Sequence, residues 1–267
     1  MSRPGSDLPI WLRPEPAGRK PRFSRVAIAR AALAIADEEG FDAVSMRRIA
    51  EKLGAGTMTL YHYVHTKADL IALMDDELMG EIVVPDGTLP RDWREALMAI
   101  ARRTRDVFRR HPWALLAMQG AVPGPNGARH FEQCLEALSE TPFDRRTKLE
   151  LLGLVDDFVF GHTLRATEAQ STLRQDADEE VRAAIRAWAL EQYEKGELPH
   201  TLAFFGRGDP AQAIAEVAGI DDDQGRFERG LATLLDGVEK QDHARLPPAR
   251  PTTPRRAPPS GSRRLRS

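Results

Sequence analysis

The sequence predicts an all-α protein made of a small N-terminal three-helix domain and a larger helical C-terminal domain. Apolar residues recur at spacings of three and four through nearly every segment between residues 24 and 243, as they do on the buried face of an amphipathic helix. No segment shows the apolar and polar alternation of a half-buried strand. Ser24, Ser45 and Thr66 each stand just before a periodic segment, which is where helix-capping residues are found.

The first two helices are bounded by clear start and stop residues. Ser24 is expected to cap a helix that runs to about Glu39 and stops at Gly40. Ser45 is expected to cap a short second helix that ends at Gly54. The inward stripes are expected to be Val26, Ala29, Leu33 and Ala36 in the first helix, and Met46, Ile49, Ala50 and Leu53 in the second.

The third helix is predicted from about Gly56 to Val64, and a fourth begins where Thr66 and Asp69 have the spacing of a capping box. The segment from Pro199 to Gln224 is expected to be a loop with one short helix near 210–218. Between Pro85 and that loop, and after it, the period predicts helices near 91–110, 113–120, 126–140, 145–171, 178–195 and 224–241.

The two ends of the chain lack any helical or strand period. Residues 1–23 and 244–267 are rich in Pro, Gly, Ser and Arg, so both are expected to be disordered arms. The folded part then divides into residues 24–67 and residues 68–243. No apolar run approaches the roughly 20 residues of a membrane-spanning helix, and the N-terminus lacks the apolar centre of a secretory signal. We therefore expect a cytoplasmic protein that does not enter a membrane.

Charge is distributed unevenly along the 267 residues. The whole chain carries −2, but residues 1–67 carry +4, residues 68–243 carry −13 and residues 244–267 carry +7. A basic first quarter beside an acidic body favours a polyanionic partner at that end. A charge of +4 on a segment of this size is common, however, and the basic C-terminal arm either adds non-specific affinity for nucleic acid or is a solvated end.

The second and third helices have the pattern of a helix-turn-helix. A short helix, the small turn Gly54-Ala55-Gly56 and a helix with a polar and aromatic outer face follow one another. Thr57 and Met58 have the right size for base edges, and Arg47 can donate two hydrogen bonds to guanine. Phosphate oxygens are within reach of hydroxyl and N–H donors on Ser45, Tyr61, His62 and Tyr63, and of Lys67 at the start of the fourth helix.

Residues 40–74 are similar to the DNA-binding domain of the TetR family of bacterial transcriptional regulators. The specific part is LG-x₅-LY-x-Y-V-x₂-K-x-DL, from Leu53 to Leu70. The resemblance implies a homodimer that binds the two halves of a palindromic operator on double-stranded DNA. It assigns base reading to Arg47, Thr57, Met58 and Tyr61, and backbone contacts to Ser45, Thr59, His62, Tyr63 and Lys67. Gly56 and Met58 depart from the family's pattern, so an operator sequence cannot be transferred.

The C-terminal part resembles the ligand-binding domain of the tetracycline-repressor branch of that family. The resemblance rests on HPWALLAM at 111–118 and FERGLATLLDGVE at 227–239. It implies a dimer formed by a four-helix bundle of the 145–171 and 224–241 helices. Gly153 and Gly161 would allow close helix approach there, or are ordinary packing glycines. The expected apolar stripe of the interface is Leu231, Leu234, Leu235 and Val238.

Aromatic residues of the C-terminal domain can line a pocket for a small hydrophobic or aromatic effector. The alternative for each is ordinary core packing. The candidate effector-binding residues are Phe108, His111, Trp113, Met118, Phe131, Phe158 and His162.

Catalysis and cofactors are not expected. The pairs Asp75-Asp76 and Asp156-Asp157 are helical neighbours that point about 100° apart, which does not suit a shared metal or a catalytic dyad. The single cysteine, Cys134, cannot form an intramolecular disulfide and is expected to be a buried core thiol. The sequence therefore predicts a one-component, ligand-responsive transcriptional repressor. The rival is a nucleoid or recombination-type DNA-binding protein without a ligand, and a buried cleft beside the fourth helix would distinguish the two.

Overall fold

Helices make up the regular structure in the part of the chain that this computed structural model describes, residues 8–16, 23–118, 120, 122–174, 179–206 and 224–245. No strand occurs among those residues, so the all-α prediction is confirmed. Short 3₁₀ turns lie at Ile10–Leu12 and Phe41–Ala43. The α-helices are α1 (Arg25–Glu39), α2 (Met46–Leu53), α3 (Thr57–Leu60), α4 (Lys67–Ile82), α5 (Trp93–Arg110), α6 (Ala114–Ala117), α7 (Pro125–Ala137), α8 (Arg145–Arg174), α9 (Glu179–Lys195), α10 (Pro199–Phe205) and α11 (Gln224–Arg245).

Helices α1, α2 and α4 begin where their capping residues predict. Ser24 Oγ accepts from the Ala27 N–H at 3.1 Å, and Ser45 Oγ accepts from the Arg48 N–H at 3.3 Å. Thr66 and Asp69 form the expected capping box at the start of α4. These bonds reach only three residues along the chain, which is why the sequence alone locates them.

The third helix is shorter than expected, since its α-helical part ends at Leu60. Beyond that point the His62 and Tyr63 N–H groups bond three residues back, at 3.3 and 2.9 Å, and the last turn tightens. The prediction that Val26 lies on the inward stripe of α1 is also corrected, because Val26 is exposed. The buried face of this helix contains Ile28, Leu33 and Ile35.

The segment at residues 8–16, which we call the N-terminal strap, is folded against this domain. Ile10 is fully buried in the N-terminal core. The buried Arg25 guanidinium donates to the Ile10 and Arg13 carbonyls at 2.7 and 2.6 Å, and to the Tyr63 carbonyl at 3.2 Å. Disorder was expected over all of residues 1–23, and that expectation is wrong for the strap, while residues 1–7 and 17–22 lie outside the described part.

The described residues form two apolar cores, and the buried residues of α4 belong to the N-terminal one. The N-terminal core gathers Ile28, Ile49, Leu60 and Met74 from the first four helices. The C-terminal core joins α5, α7, α8 and α11 through Leu97, Leu138, Leu151 and Phe227, among others. Helix α4 packs on α1 on one side and on α5 and α7 on the other. Helix α4 therefore contacts both the N-terminal helices and helices of the C-terminal domain.

Several later helices differ in length from the prediction. The 113–120 helix is reduced to Ala114–Ala117, and α8 extends to Arg174. A helix at Pro199–Phe205 occupies part of the expected loop, with proline at its first turn, where the missing N–H costs nothing. The short helix expected at 210–218 and the arm after Arg245 lie outside the described residues.

Candidate nucleic-acid interface and ligand cavity

The turn between α2 and α3 is held by backbone bonds that require glycine at its first position. Gly54 has φ 62° and ψ 40°, in the left-handed region that residues other than glycine rarely adopt. The Ala55 N–H bonds the Ala50 carbonyl at 2.9 Å, which closes the end of α2. The angle between α2 and α3 is therefore fixed by the sequence of the turn.

The outer face of α3 presents large side chains that no part of the described chain covers. Met58 is 75% exposed and Tyr61 is 43% exposed, while Leu60 and Val64 point into the core. Thr59 and His62 are exposed, and Thr57 is half-buried. Residues 52–68 contain no aspartate or glutamate. The surface therefore offers donors, methyl groups and a thioether without repelling a phosphate backbone.

Three predicted backbone-contact residues have different surroundings. The exposed Ser45 uses its hydroxyl as the α2 cap, and Lys67 is exposed at the start of α4 with its ammonium 5.7 Å from the Phe41 ring centroid. The prediction that Tyr63 contacts the DNA backbone is corrected, because only 7% of this residue is exposed and its ring belongs to the N-terminal core. Its side chain is a packing group that fixes the start of α4.

Cations on α2 are held to different degrees. Arg48 pairs with Glu39, and Lys52 Nζ lies 2.9 Å from Glu38 Oε1. Arg47 has an 80% exposed side chain and a looser 3.5 Å contact with Glu51. The acidic end of α1 thus restrains two of the three cations, which sequence spacing within α2 could not reveal.

Helix α7 forms hydrogen bonds to α4 and to the segment just after it. The Asn126 N–H donates to Asp76 Oδ1 at 2.7 Å, and the Asn126 amide donates to the Asp76 carbonyl at 3.0 Å. Farther along, the Gln133 amide bonds both the N–H and the carbonyl of Val84, at 2.9 and 2.7 Å. Side-chain hydrogen bonds therefore join α7 to α4 and to the residues just after it.

Four of the seven predicted effector residues lie instead at the junction of the two domains. His111 Nδ1 and Trp113 Nε1 both bond Asp37 Oδ1 at 2.7 Å, and Trp113 stacks on Phe41 with ring centroids 5.6 Å apart. Phe108 and Met118 belong to the same N-terminal core. These side chains join α1 to the region after α5 and have their polar atoms occupied, so the structure does not bring them into one pocket with the rest.

Phe158 and His162 form a second, separate group with Phe227. The His162 ring centroid lies 5.9 Å from Phe158 and 5.1 Å from Phe227. The buried Arg105 guanidinium lies over Phe227 at 4.4 Å. This aromatic cluster ties α5, α8 and α11 together.

Phe131 alone of the predicted set lines a small, partly open cavity between α5, α7 and α8, which we call the α5–α7–α8 cavity. Its volume is about 180 Å³. Helix α8 contributes Gly153 and Asp156, and α5 and α7 contribute Leu97, Ile100, Ala101, His130, Phe131 and Cys134.

Two residues that line this cavity, His130 and Cys134, carry buried polar groups. The sequence analysis did not predict His130 as a site residue and predicted Cys134 only as a core thiol. His130 Nδ1 is buried and has no hydrogen-bond partner among the described residues, and burial lowers the pKa of its imidazole. Cys134 is a buried thiol, as expected, and burial raises its pKa to about 12. The spacing of His130 and Cys134, four apart on one helical face beside Phe131, was a signal available in the sequence.

The predicted dimer residues divide in the same way. The prediction that Leu231 and Leu235 lie in the dimer interface is corrected, because both side chains have no exposed surface and belong to the core of their own chain. Helix α11 uses the stripe of Phe227, Leu231 and Leu235 for that core. Leu234 and Val238 are half-buried beside it, and added Cβ atoms at Gly153 and Gly161 would meet nothing within 4 Å.

No group of three or more His, Cys, Asp or Glu side chains in the described part of the chain is arranged to hold a metal ion. Among the helices of that same part, none combines the length and the apolar character needed to cross a membrane.

Two family models match the chain. The model of bacterial regulatory proteins of the tetR family matches residues 28–74. The model of the tetracyclin repressor-like C-terminal domain matches residues 86–241, more than half of the chain.

Known proteins resemble the chain over most of its length. The HTH-type transcriptional repressor DrrR1 of Streptomyces coeruleorubidus is 31% identical over 224 residues, covering 83% of this chain and 79% of that protein. An HTH-type transcriptional regulator of Saccharopolyspora erythraea is 30% identical over 236 residues, covering 88% and 92%. The solved structure of ActR from Streptomyces coelicolor in complex with (S)-DNPA has a TM-score of 0.57 and 27% identity, and covers 83% of this chain and all of that one. The chain therefore belongs to the TetR family of bacterial transcriptional regulators and has the tetracycline-repressor-like form of the C-terminal domain.

Proposed function

We propose that this protein is a homodimeric repressor that binds a palindromic operator and releases it when a small molecule enters the C-terminal domain. The observation that carries the proposal is the exposed, acid-free outer face of α3 on a helix-turn-helix fixed by Gly54. In a two-fold dimer, two such helices enter successive major grooves about 34–36 Å apart. Such a protein acts where the DNA is, in the cytoplasm.

The proposed division of labour on DNA follows side-chain length and position. Thr57, Met58 and Tyr61 read base edges from α3, and Arg47 reads a guanine from α2. Side chains that can donate to phosphate oxygens hold the orientation of the domain, namely Ser45, Thr59, His62 and Lys67. Tyr63 is left out of this set because its ring is in the core.

The proposed route from effector to DNA runs through α7 and α4. His130, Phe131 and Cys134 line the α5–α7–α8 cavity on the same helix that holds α4 through Asn126 and Gln133. A ligand that displaces α7 would pull α4, and with it Lys67 and the end of α3. The separation of the two recognition helices would change, so operator affinity would fall.

The names of the relatives support the sign and the ligand dependence of this regulation. DrrR1 is named a repressor, and a tetracycline repressor of class D is 26% identical over 225 residues. ActR has been solved with the small molecule (S)-DNPA bound. The DNA-binding alternative without a ligand is disfavoured by the names of these relatives. The α5–α7–α8 cavity, although no residue of α4 lines it, is a space that a ligand can occupy.

Dimerisation is proposed through the remaining free faces of α8 and α11. Leu154 is 45% exposed on α8, and Gly161 lies on the same face, seven residues later. Added Cβ atoms at Gly161 and Gly237 would meet nothing within 4 Å in the single chain. The half-buried Leu234 lies beside Gly237 on α11. A symmetric four-helix bundle would cover these surfaces.

Selection of genomic DNA fragments by the purified protein at near-physiological salt tests the proposal directly. One enriched palindrome is the expected result. Retention of many fragments without a shared motif would refute the repressor and leave a non-specific DNA-binding protein. Repeating the selection with the Met58→Ala and Tyr61→Ala variants should change the bases preferred within each half-site.

A further inference from the structure

We propose that the effector is an uncharged molecule built on a single ring, with one hydroxyl or carbonyl group that hydrogen-bonds His130 Nδ1 in the α5–α7–α8 cavity. The inference rests on the proposed function, because it assigns a chemical class to the small molecule that releases the operator.

The size of the cavity sets the size of the ligand. Its volume of about 180 Å³ is slightly larger than the engineered cavity of about 150 Å³ that binds benzene. One ring with one or two small substituents fills that space. A flat molecule of three or four fused rings does not fit without opening the helices.

The walls select against charge, and above all against an anion. None of the side chains that line the cavity is a lysine or an arginine, while Asp156 is present among them at the surface. A ligand carboxylate would leave water without a cationic partner and beside a like charge. The Cys134 thiol stays protonated at neutral pH, since burial raises its pKa to about 12.

The polar contact is supplied by His130. Its Nε2 lies 3.9 Å from Cys134 Sγ, while Nδ1 is buried with no partner among the described residues. An unpaired buried nitrogen is costly, so a ligand that bonds it removes that cost. The neutral imidazole accepts from a hydroxyl or donates to a carbonyl, depending on its tautomer. Thr104 also lines the cavity, but its hydroxyl already donates to the Ile100 carbonyl at 2.9 Å. Leu97, Ile100 and Ala101 form an apolar part of the wall that suits the ring.

The position of Phe131 gives the ligand an entry. Phe131 on α7 and Leu149 on α8 both line the cavity and are about half exposed. These two side chains form the outer edge of the space between α7 and α8. Both helices pack mainly on α5 there and have few contacts with each other. A ligand is therefore expected to enter between Phe131 and Leu149.

The test uses three probes of similar size, phenol, toluene and benzoate, with the full-length protein and binding followed by ligand-observed NMR and calorimetry. Phenol should bind about fivefold more tightly than toluene, as expected for one net hydrogen bond. Benzoate should bind at least tenfold more weakly than phenol. Equal binding of phenol and toluene would overturn the role of His130, tighter binding of benzoate would overturn the charge selection, and no binding of any probe would overturn the ring size.

Two variants locate the binding in the cavity. His130→Leu keeps a similar volume and should abolish the preference for phenol over toluene, while Arg129→Leu at the adjacent exposed position should keep it. Ala101→Leu fills the cavity and should remove binding of both probes, provided that its thermal unfolding remains cooperative. If that variant does not fold, the wild-type probe series and the His130 and Arg129 pair still decide the proposal. Phenol binding that persists in folded Ala101→Leu would place the site elsewhere and refute the inference.

Failure of this inference and failure of the proposed function give different results. Probe binding is measured without DNA, and fragment selection is measured without probes. An enriched palindrome together with no probe binding would refute the effector class and leave the repressor intact. Probe binding with the expected ranking but no enriched palindrome would refute the repressor and leave the ligand class.

Discussion

Arg47 differs from its cationic neighbours on α2 in what restrains its side chain. Arg48 and Lys52 are paired with Glu39 and Glu38 at the end of α1. Among the described residues, Arg47 has a single ion-pair contact, at 3.5 Å, with the half-exposed Glu51. Exposed ion pairs of this kind contribute little, so a guanine can replace Glu51 as the partner at small cost.

Replacement of Arg47 by alanine should reduce discrimination between the operator and its point variants by about 1–3 kcal/mol. Fluorescence anisotropy titrations at one salt concentration measure this difference. Lys67→Ala is the contrasting variant, because loss of a phosphate contact should weaken all sequences alike and reduce the salt slope by about one. Unchanged discrimination in Arg47→Ala would show that this side chain does not read a base.

Gly124 is a residue whose replacement tests the hold of α7 on α4. An added Cβ would lie 2.3 Å from Asp76 Oδ1 and 2.6 Å from its Cγ. The carboxyl cannot move away without losing its 2.7 Å bond from the Asn126 N–H. Gly124→Ala should lower the free energy of unfolding by about 1–3 kcal/mol, the usual cost of overpacking.

Urea unfolding of the two glycine variants measures this effect. Gly153→Ala is the control, because its Cβ would meet nothing within 4 Å and alanine favours a helix over glycine. If both variants lost stability equally, the cause would be general to glycine replacement and the Asp76 contact would not explain it.

Among the elements, the N-terminal strap holds the start of α4 through a buried ion pair. Arg13 donates to both carboxylate oxygens of Asp69, at 3.0 and 2.5 Å, and Asp69 also accepts from the His65 and Thr66 N–H groups. Arg13→Ala should lower the free energy of unfolding by about 2 kcal/mol, the magnitude of a hydrogen bond to a charged group. Thermal unfolding measures the change, and Arg30→Ala, which removes the exposed Arg30–Glu77 pair, is a matched control with a smaller expected loss.

The same pair gives the strap a pH dependence. Burial alone would raise the pKa of the Asp69 carboxyl, but bonds from Arg13, Thr66 and His65 outweigh it and hold the pKa below its ordinary value. A carboxyl whose pKa is lower in the folded protein contributes its full stabilisation above its unfolded pKa of about 3.9. This stabilisation is lost as the pH falls through the folded pKa. The stability difference between wild type and Asp69→Asn, from urea unfolding, should therefore be constant from pH 7 to about 5 and shrink below about 4. A difference that grows on acidification would contradict this assignment.

Local elements were predictable from the sequence, and non-local ones were not. The caps at Ser45 and Thr66 and the turn at Gly54 depend on residues within three or four positions, so the pattern alone identifies them. The strap was missed because Ile10 is buried only when Arg25, fifteen residues away, binds its carbonyl. Periodicity identified apolar stripes but not what covers each one, so the stripe of Leu231 and Leu235 was assigned to a partner although it packs in its own core.

The aromatic residues of the C-terminal domain illustrate the same limit for the site. Trp113 and His162 look alike in sequence as half-polar members of helical stripes. In the structure Trp113 bonds Asp37 at the domain junction and His162 stacks on Phe158. Only the packing of α5 on α7 and α8 separates these residues from Phe131 and defines the α5–α7–α8 cavity.

At the scale of the whole molecule, the proposed operator binding requires that a second copy cover the exposed faces of α8 and α11. One helix-turn-helix touches one half-site, and a palindrome is held tightly only when both halves are bound together. Leu154, which is 45% exposed, lies where a second copy is proposed to pack, with Gly161 two turns farther along the same face. The DNA affinity of the intact protein is thus tied to a surface far from the DNA.

Leu154→Glu places a charge at the centre of the proposed interface and should give a monomer in analytical ultracentrifugation, because two buried carboxylates would face each other across the two-fold axis. Its affinity for a single half-site should be unchanged, whereas its affinity for the full palindrome should fall about 10²-fold through loss of the second contact. Leu116→Glu makes the same change at a position on α6 that is 65% exposed, and it should leave both the dimer and the operator affinity intact. A Leu154→Glu protein that still sediments as a dimer would move the interface to another face, and the DNA-binding and cavity assignments, which depend only on residues within one chain, would be unaffected.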